Sequence, residues 1–596
     1  MSKRKAVIGI FILTAIFSTC AFAELEDDWG NFLHYAKIGR LDLARGYAKA
    51  VIDANAEPTM ILDYYQQNPQ AQIVLRKAAE NEYDPQFAAL AQQIMGIIER
   101  GKFMRRSEPA TIAEEIRRLS STARGRLEAV SRLKNAGEYA IPFMLDAMAD
   151  ETRREELPNI VWALPQIGRD AIRPLVAALQ TDNDAVKIEI INALGEIGYP
   201  QSLGYLKYVV ENDESPEIRA AATASIEKIE PAVFQLPAAE LLYRLGEEYY
   251  YHSDSLAPAE DANFANIWFW DGAEQRLVRQ EVDRKYFYEL MAMRSCEWAL
   301  RADAGFGRAI GLWIASFFDA EATGLAMPEY FGQGHASASV YATTAGPEYL
   351  HQALARAIND KNAYLALHTI EALATTAGES SLMYRLRMEQ PLMAALSFDD
   401  KAVRYSAAIA IANAGPTEYF AESRIVVQNL ADALKETSQA VGEPNSLWQP
   451  QMADEYALRA AQAMLKLGVE KNTVIDLSAA EQTLIDATKD SRVPVKVLAA
   501  QVLAYLSSPT AQQAIAAAAL NDENSTDIRV AAFASLAESA KNRGSLLGDE
   551  QIDAIYQIVS SLDAEEQLRS AAAAAYGALN LPSQKVKDLI LDQAKN

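Results

Sequence analysis

A helical pattern that returns about every 30 residues is the feature that most limits how this chain can fold. Between residues 124 and 230 a large aliphatic residue closes each helical stretch, and a glycine follows the first three at a fixed distance. A repeat of this length cannot bury its apolar face alone, so neighbouring copies must stack. The closing residues are Leu133, Leu164, Leu194 and Ile226, and the glycines are Gly137, Gly168 and Gly198.

Within one copy, apolar residues recur with the period of an α-helix and form a single stripe. Gly198 follows this stripe and predicts the end of the helix. The preceding helix begins near Ala171, with Pro174 in the first turn, where proline is tolerated. Each copy is therefore predicted to be a pair of helices. The stripe consists of Val186, Ile190, Ala193, Leu194 and Ile197.

A basic residue stands seven positions before a large residue of the second helix, in both halves of the chain. An acidic residue precedes several of these basic ones. The order of Asp, then Val or Ile with Arg or Lys, then an Ala-rich helix resembles bacterial HEAT repeats, particularly the short type also found in phycobilin lyases. The basic residues are Arg126, Lys187, Arg219, Arg404, Lys496, Arg529 and Arg569, and the acids are Asp182, Asp213, Asp399, Asp490 and Asp522.

This resemblance covers residues 119–235 and 346–596. It implies an all-α fold, an α-solenoid of stacked helix pairs, in which the acidic and basic residues form a ladder between neighbouring repeats. Repeats of this kind serve many roles, so the resemblance by itself fixes no activity. A phycobilin lyase activity is not supported, because only the repeat is shared and the chain is predicted to leave the cytoplasm.

Two segments depart from the period. In residues 24–118, Phe32 to Ala44 resembles a tetratricopeptide helix pair with Gly39 at the crossing of the helices, although a divergent capping unit fits equally well. In residues 236–345, Cys296 to Ala315 again resembles a tetratricopeptide unit. We therefore predict a signal peptide over 1–23, a helical or capping region over 24–118, HEAT blocks over 119–235 and 346–596, and a distinct middle segment over 236–345.

The middle segment holds the most individual sequence. Ile267–Gly272 and Leu277–Val282 predict a small β-hairpin near an Asp-Gly pair. Gly324–Pro347 is rich in Gly, Ser and Thr and predicts a long loop, as does Thr437–Asp454. Loops on rigid scaffolds often bind partners, and aromatic residues supply much of the contact area. The candidate partner-binding residues are Trp268, Trp270, Tyr330 and Phe331, with the alternative that the two tryptophans seal the junction between the HEAT blocks.

The usual motifs of catalysis are missing from the sequence. It contains no H-E-x-x-H, no G-x-x-x-x-G-K-[ST], no G-x-S-x-G and no C-x-x-C. Gly332-Gln333-Gly334-His335 begins like a dinucleotide loop, but Ser337 replaces the third glycine. We predict no catalytic residue, no cofactor and no metal. His335 is the one residue to inspect for catalysis.

Charge and the N-terminal sequence suggest the compartment. A net charge of -24 disfavours a nucleic-acid partner and an anionic membrane surface. Lys3, Arg4 and Lys5 precede an apolar run, and Ala21-Phe22-Ala23 is typical of a signal-peptidase site. Cleavage there would leave Glu24 first and a periplasmic or secreted protein without membrane insertion. Lipid attachment at Cys20, or an uncleaved anchor, are the alternatives.

From these features we predict an exported scaffold that binds another protein through a helical-repeat surface. The alternative is an enzyme or a small-ligand-binding protein with its site in the middle segment. Removal of Cys20 would leave Cys296 as the single cysteine, so the mature chain could form no internal disulfide.

Overall fold

The structure is a computed structural model that describes residues 24–81, 83–258, 264–386, 389–439 and 446–581, together with 584, 587, 590 and 591. Residues 1–23, with the predicted signal peptide and Cys20, lie outside the described residues, as does the centre of the predicted loop Thr437–Asp454. The described chain is helical apart from one pair of strands, which confirms the all-α class. None of its helices combines the length and apolar character that a membrane crossing needs.

The chain divides into two compact units. The first extends to Met291 and includes Arg301–Asp303, and the second holds Ala292–Leu300 and the chain from Ala304 onward. The helices of the first unit are α1 (residues 24–37), α2 (Leu41–Asp53), α3 (Pro58–Gln67), α4 (Ala71–Ala79), α5 (Pro85–Arg106), α6 (Pro109–Arg118), α7 (Ala123–Ala136), α8 (Ala140–Ala149), α9 (Leu157–Ala163), α10 (Ile172–Ala178), α11 (Asp184–Ile197), α12 (Leu203–Asn212), α13 (Pro216–Ile229) and α14 (Ala238–Tyr250).

The predicted helix pairs are present, and α11 shows how the sequence specifies one helix. Asn183 caps its start, because the Asn183 side chain accepts a hydrogen bond from the Val186 amide at 3.1 Å. Ile190 and Leu194 of the apolar stripe are fully buried. Gly198 ends the helix in the left-handed conformation with φ of 75°, which favours glycine. Each pair stacks on the next, α11 against α13 for example.

The helix pair at the start of the described chain forms as predicted, but the reason for its glycine differs. Gly39 lies in the turn between α1 and α2 with φ of 74°. A Cβ atom built there would meet nothing within 4 Å. Glycine is therefore favoured by the backbone conformation, and the predicted close crossing of helices at Gly39 is wrong.

The predicted hairpin is confirmed. Strand β1 (Phe264–Asp271) pairs antiparallel with β2 (Arg276–Asp283), and Asp271 lies opposite Arg276. Four residues join the strands, because the Asp271 carboxylate accepts hydrogen bonds from the amides of Ala273 and Glu274, at 2.9 and 3.1 Å. This side-chain turn replaces the two-residue Asp-Gly turn.

Helices of the second unit follow the same plan. α15 (Phe287–Ala302) contributes to both units, and its successors belong to the second. They are α16 (Arg308–Ala322), α17 (Ala338–Ala345), α18 (Pro347–Asp360), α19 (Ala363–Thr376), α20 (Glu379–Leu382), α21 (Pro391–Ala395), α22 (Lys401–Ala414), α23 (Ser423–Lys435), α24 (Ala453–Val469), α25 (Glu481–Ala487), α26 (Val493–Leu503), α27 (Pro509–Leu520), α28 (Thr526–Arg543), α29 (Asp549–Ser560) and α30 (Glu566–Ala578).

The long loop predicted over Gly324–Pro347 is only partly a loop, since α17 occupies its last third. Ala338 and Ala342 on the inner face of this helix are buried. The Glu321 carboxylate accepts a hydrogen bond from the Ala338 amide at 3.0 Å and so satisfies one free donor at the helix start. Small residues that looked like a loop in the sequence therefore allow α17 to pack closely.

The basic residues of the repeats have two different roles. Lysines reach the next helix pair. Lys187 binds Asp213 at 2.8 Å, as the ladder predicts, whereas Lys496 binds the neutral Asn524 at 3.0 Å and not the predicted acid Asp522. Arginines instead donate to main-chain carbonyls where the first helix of their own pair ends, so the predicted ladder is wrong for them. These bonds are Arg126 to Leu119 at 3.0 Å, Arg219 to Asp213 at 2.7 Å, Arg404 to Phe398 at 2.7 Å, Arg529 to Ala519 at 3.0 Å and Arg569 to Ser561 at 3.4 Å.

Candidate functional site

A continuous group of aromatic side chains lies on the second unit, on α16, on α17 and on the segment between them. Ring centroids are 5.1 Å apart for Trp313 and Tyr341, and 5.5 Å apart for Phe317 and Phe331. We call this group the aromatic patch. Its members are Trp313, Phe317, Tyr330, Phe331, His335 and Tyr341.

The patch presents apolar area to solvent above a buried floor. Phe317 is fully buried and supports the others, while Trp313 and Phe331 are half-buried. Tyr330 and Tyr341 are 36% and 45% exposed. Contiguous exposed aromatic surface of this kind marks interaction sites more often than scattered exposed residues do.

The backbone holds the aromatic patch in a defined shape. Gly332 and Gly334 adopt φ of 81° and 72° and so allow the sharp turns after Phe331. The Trp313 indole nitrogen donates to the Glu297 carboxylate at 3.2 Å, which fixes the ring. A surface held in this way has less conformational entropy to lose when a partner binds.

Two of the four predicted partner-binding residues, Tyr330 and Phe331, lie in the aromatic patch, with their ring centroids 4.9 Å apart. Sequence reasoning missed Trp313 and Tyr341. The spacing of Trp313 and Phe317, four residues apart on one helix face, was the available indication. Tyr341 could be found only with the fold, because the sequence predicts a loop where α17 lies.

His335, the residue to inspect for catalysis, lies at the edge of the patch. Its ring is exposed and 5.4 Å from the ring of Phe331. Its Nδ1 lies 3.1 Å from the Ala336 carbonyl oxygen. Within the described chain no carboxylate forms an ion pair with this histidine. His335 therefore lacks the orienting acid of a histidine general base.

The other two predicted residues lie on the hairpin, and Trp268 is buried there. The Trp268 indole nitrogen donates to the Glu138 carboxylate at 2.7 Å. Asn266 donates to the other oxygen of that carboxylate at 2.6 Å and also to the Tyr139 hydroxyl. At 5% exposure, Trp268 joins the hairpin to the first HEAT block and offers little surface to a partner.

Local backbone geometry positions the acceptor of these hydrogen bonds. Gly137 ends α7 with φ of 60°, and a short 3-10 turn, Gly137–Tyr139, then directs Glu138 and Tyr139 inward. Arg173 supplies a nearby positive charge, 3.8 Å from the Glu138 carboxylate. Burial, together with the Glu138 charge, raises the pKa of Tyr139 to about 12. The hydroxyl therefore stays protonated at neutral pH.

Trp270 lines a cleft of about 440 Å³ between the hairpin and the first HEAT block. We call it the hairpin cleft. The base of the cleft is apolar, with Leu145, Val186 and Ile190 buried in it. The Trp270 indole nitrogen is buried and meets no acceptor among the described residues. The remaining lining residues are Pro142, Asp146, Ala149, Thr181, Asp182, Asn183, Gln275 and Leu277.

Across the part of the chain that the structure describes, no three His, Cys, Asp or Glu side chains are grouped so as to hold a metal ion. Cys296 is buried in α15, so its thiol is inaccessible to solvent.

The fold defines the class of protein, which is an α-helical repeat protein. Residues 141–227 match the family model described as HEAT repeats. The matched residues lie within the block 119–235, for which the spacing of acidic and basic residues predicts HEAT repeats. The tetratricopeptide likeness of 24–118 and 236–345 stays a prediction, as do the domain boundaries. Among curated proteins, none matches the sequence.

Solved structures with some likeness include several large helical-repeat proteins. A Kap121p mutant is 12% identical, with 95% of this chain matching 57% of that one at a TM-score of 0.28. Importin beta is 15% identical, and 96% of this chain matches 70% of that chain at a TM-score of 0.27. The SYS-1/POP-1 complex is 10% identical, and 94% of this chain matches 99% of that chain, also at a TM-score of 0.27. This chain thus spans little more than half of the Kap121p chain. Identities and TM-scores this low carry no argument about partners.

Proposed function

We propose that this protein is a scaffold that binds a partner protein through the aromatic patch. One observation carries the proposal: five of the six rings of the patch are partly or largely exposed, on a surface with a defined backbone conformation. Aromatic residues are enriched at the energetic centres of protein interfaces. Stacked helix pairs supply the rigid support that such a surface needs.

The expected partner presents an apolar segment. The exposed rings offer large, rigid contact area at low entropic cost, and Tyr330 and Tyr341 add hydroxyl groups that bond at the rim. Catalysis plays no part in this proposal, because His335 has no orienting acid and no metal-binding group occurs among the described residues.

We also propose that the protein acts outside the cytoplasm. The support is the N-terminal sequence alone, in which three basic residues, an apolar run and Ala21-Phe22-Ala23 follow in the order of a signal peptide. An intact-mass measurement of the protein from its native source tests this. We expect a chain that starts at Glu24, and a lipid on Cys20 would overturn plain secretion.

Affinity capture from the native envelope fraction, followed by mass spectrometry, tests the partner-binding surface. The test variant replaces both Tyr330 and Phe331 with alanine. A second variant, Tyr341→Ala, alters the patch from a different helix. Tyr419→Ala is the control, since Tyr419 is 83% exposed in the same unit and lies outside the patch.

We expect both patch variants to lose a partner that the parent and the Tyr419→Ala variant retain. Truncation of a hot-spot residue at an interface costs about 2 kcal/mol or more, which is roughly 30-fold in affinity. Melting curves establish that the variants are folded. Capture that is unchanged in both folded patch variants would contradict the proposal and direct attention to other helix faces.

A further inference from the structure

The hairpin cleft is a built feature of the first unit, separate from the aromatic patch. Regular HEAT pairs contain no strands, so the hairpin is an addition to the repeat, and it closes one side of the cleft. The volume, about 440 Å³, lies within the usual range of small-molecule sites. A cleft of this size is large enough for a small organic ligand.

Two anchors hold the hairpin so that the cleft persists without a ligand. At its base, Trp268 and Asn266 donate to the buried Glu138 carboxylate. At its tip, Gln275 donates to the Asp182 carboxylate at 2.9 Å and accepts from the Asp182 amide at 3.1 Å. The wall that carries Trp270 is therefore fixed against the helices before anything binds.

The charged residues around the cleft determine which ligand charge it favours. No Lys, Arg or His is among the residues that line it. Asp182 is already engaged by Gln275, whereas the Asp146 carboxylate makes no hydrogen bond or ion pair with a described residue. Asp146 thus presents a negative charge to the cleft without an ion-pair partner in the lining. The Arg276 charge lowers the pKa of Asp146, but this effect is smaller than that of burial, and Arg276 is itself paired with Glu274 at 2.6 Å.

The lining also favours a ligand whose uncharged part is apolar. Leu145, Val186 and Ile190 form an apolar base, and Trp270 supplies an aromatic wall. An aromatic ring attracts cations through its face and apolar groups through burial. An anion would meet Asp146 with no compensating positive charge in the lining.

We propose that the hairpin cleft binds a small organic ammonium ion, with its apolar body against Trp270 and its charged nitrogen at Asp146. Burial by surrounding protein atoms raises the pKa of Asp146, which agrees with a carboxylate that gains from a cationic partner. This site belongs to the first unit and does not depend on the aromatic patch of the second.

Three ligands of one shape test the proposal: phenethylamine, the neutral phenethyl alcohol and the anionic phenylacetate. Calorimetric titration on the full chain at neutral pH measures each affinity. We expect phenethylamine to bind and the other two to bind at least about tenfold more weakly. Equal affinities for the three ligands, or no binding of phenethylamine, would overturn the proposal.

Variants assign the binding to the cleft. Asp146→Asn keeps the side-chain shape and removes the charge. It should weaken the binding of phenethylamine about tenfold and leave the binding of phenethyl alcohol unchanged. Trp270→Leu should weaken the binding of both ligands. Glu155→Gln, at an exposed acid of the same unit outside the cleft, is the control and should change neither. Phenethylamine affinity that survives Asp146→Asn overturns the proposal even if the Trp270 variant is unstable.

Discussion

Arginine links the two helices of a pair at five places in the described part of the chain. In each, the guanidinium on the second helix donates to a carbonyl where the first helix ends. The last carbonyls of a helix have no partner within the helix, and the negative end of its dipole lies there. A planar cation with several N–H donors satisfies both needs. Lysine, with a flexible stem and a single compact charged nitrogen, instead bridges to the next pair.

Arg219 provides a direct test of this role. Its guanidinium donates to the carbonyls of Asp213 and Glu214, at 2.7 and 2.9 Å. We expect Arg219→Ala to lower the free energy of unfolding by about 1 to 2 kcal/mol, because partly buried carbonyls lose a charged donor. Chemical denaturation measures this. Arg124→Ala is the control, because this side chain is 91% exposed. It should change the free energy of unfolding by less than about 0.5 kcal/mol.

His351 is a buried histidine whose environment disfavours the charged form. Nε2 lies 2.7 Å from the Ser381 carbonyl oxygen, so it carries the proton, while Nδ1 is buried without a partner. Burial lowers the pKa of His351 from its usual 6.5, although the bond to Ser381 opposes this. The neutral ring is thus the form that fits the fold.

Acidification should therefore destabilise the protein through His351. Well above pH 6.5 the ring is neutral in both the folded and the unfolded chain and contributes nothing to the pH dependence. As the pH falls through 6.5 the unfolded chain takes up a proton that the folded chain does not, so stability is lost until the lower folded-state pKa is reached.

Melting temperatures of the parent and of His351→Gln between about pH 7.5 and pH 5 measure this contribution. We expect the parent to lose stability more steeply than the variant over that interval. His335→Gln, at an exposed ring, should follow the parent. Identical slopes for the parent and His351→Gln would show that His351 is not the residue responsible.

At the scale of elements, the hairpin is held by one buried carboxylate. Glu138 accepts from both Trp268 and Asn266, and all three side chains are at least nine-tenths buried. Buried donors that lose their acceptor cost more free energy than a single hydrogen bond contributes. The hairpin should therefore detach before the helices that it covers unfold.

Glu138→Ala tests this order. We expect a loss of about 2 to 4 kcal/mol in the free energy of unfolding, with the earliest effect on β1 and β2. Hydrogen exchange followed by mass spectrometry should show faster exchange in residues 264–283. Glu281→Ala on the same hairpin removes only an exposed acid and should leave that exchange rate unchanged. Protection of the hairpin that survives Glu138→Ala would place its main anchor elsewhere.

Sequence reasoning succeeded where local signals decide the element. The 3.6-residue stripe and Gly198 predicted α11, and the Asp271-Gly272 pair beside two apolar stretches predicted the hairpin. It failed at α17, because residues 338–345 carry no charge and no large apolar stripe and are flanked by glycines. Burial of Ala338 and Ala342 against neighbouring helices makes that segment helical, and a linear pattern does not reveal such neighbours.

The candidate sites depend still more on tertiary contacts. Glu138 and Trp268 are 130 positions apart, and the hairpin cleft draws its lining from residues around 142–149, 181–190 and 270–277. Single aromatic residues could be nominated from the sequence, but their surroundings could not. Trp268 and Trp270 illustrate this, since they stand two residues apart and one is buried against Glu138 while the other lines an open cleft.

For the whole molecule, the pattern of contacts predicts which helices lose stability when one repeat is destabilised. Helices contact mainly their neighbours along the chain, as α24 with α26 and α26 with α28 do in the second unit. The stability of such an array is close to a sum of repeat terms and nearest-neighbour terms. A defect should then weaken its own repeat and the next one, and fade beyond them.

Two matched variants test this, one in each compact unit. Arg219→Ala and Arg529→Ala remove equivalent arginines from α13 and α28. Hydrogen exchange should quicken around α12–α14 in the first variant and around α27–α30 in the second. Each variant is the control for the other, because the same chemical change is made far away in the sequence. Faster exchange spread evenly over both units in either variant would contradict nearest-neighbour stability, since it would mean that the chain unfolds as one cooperative block.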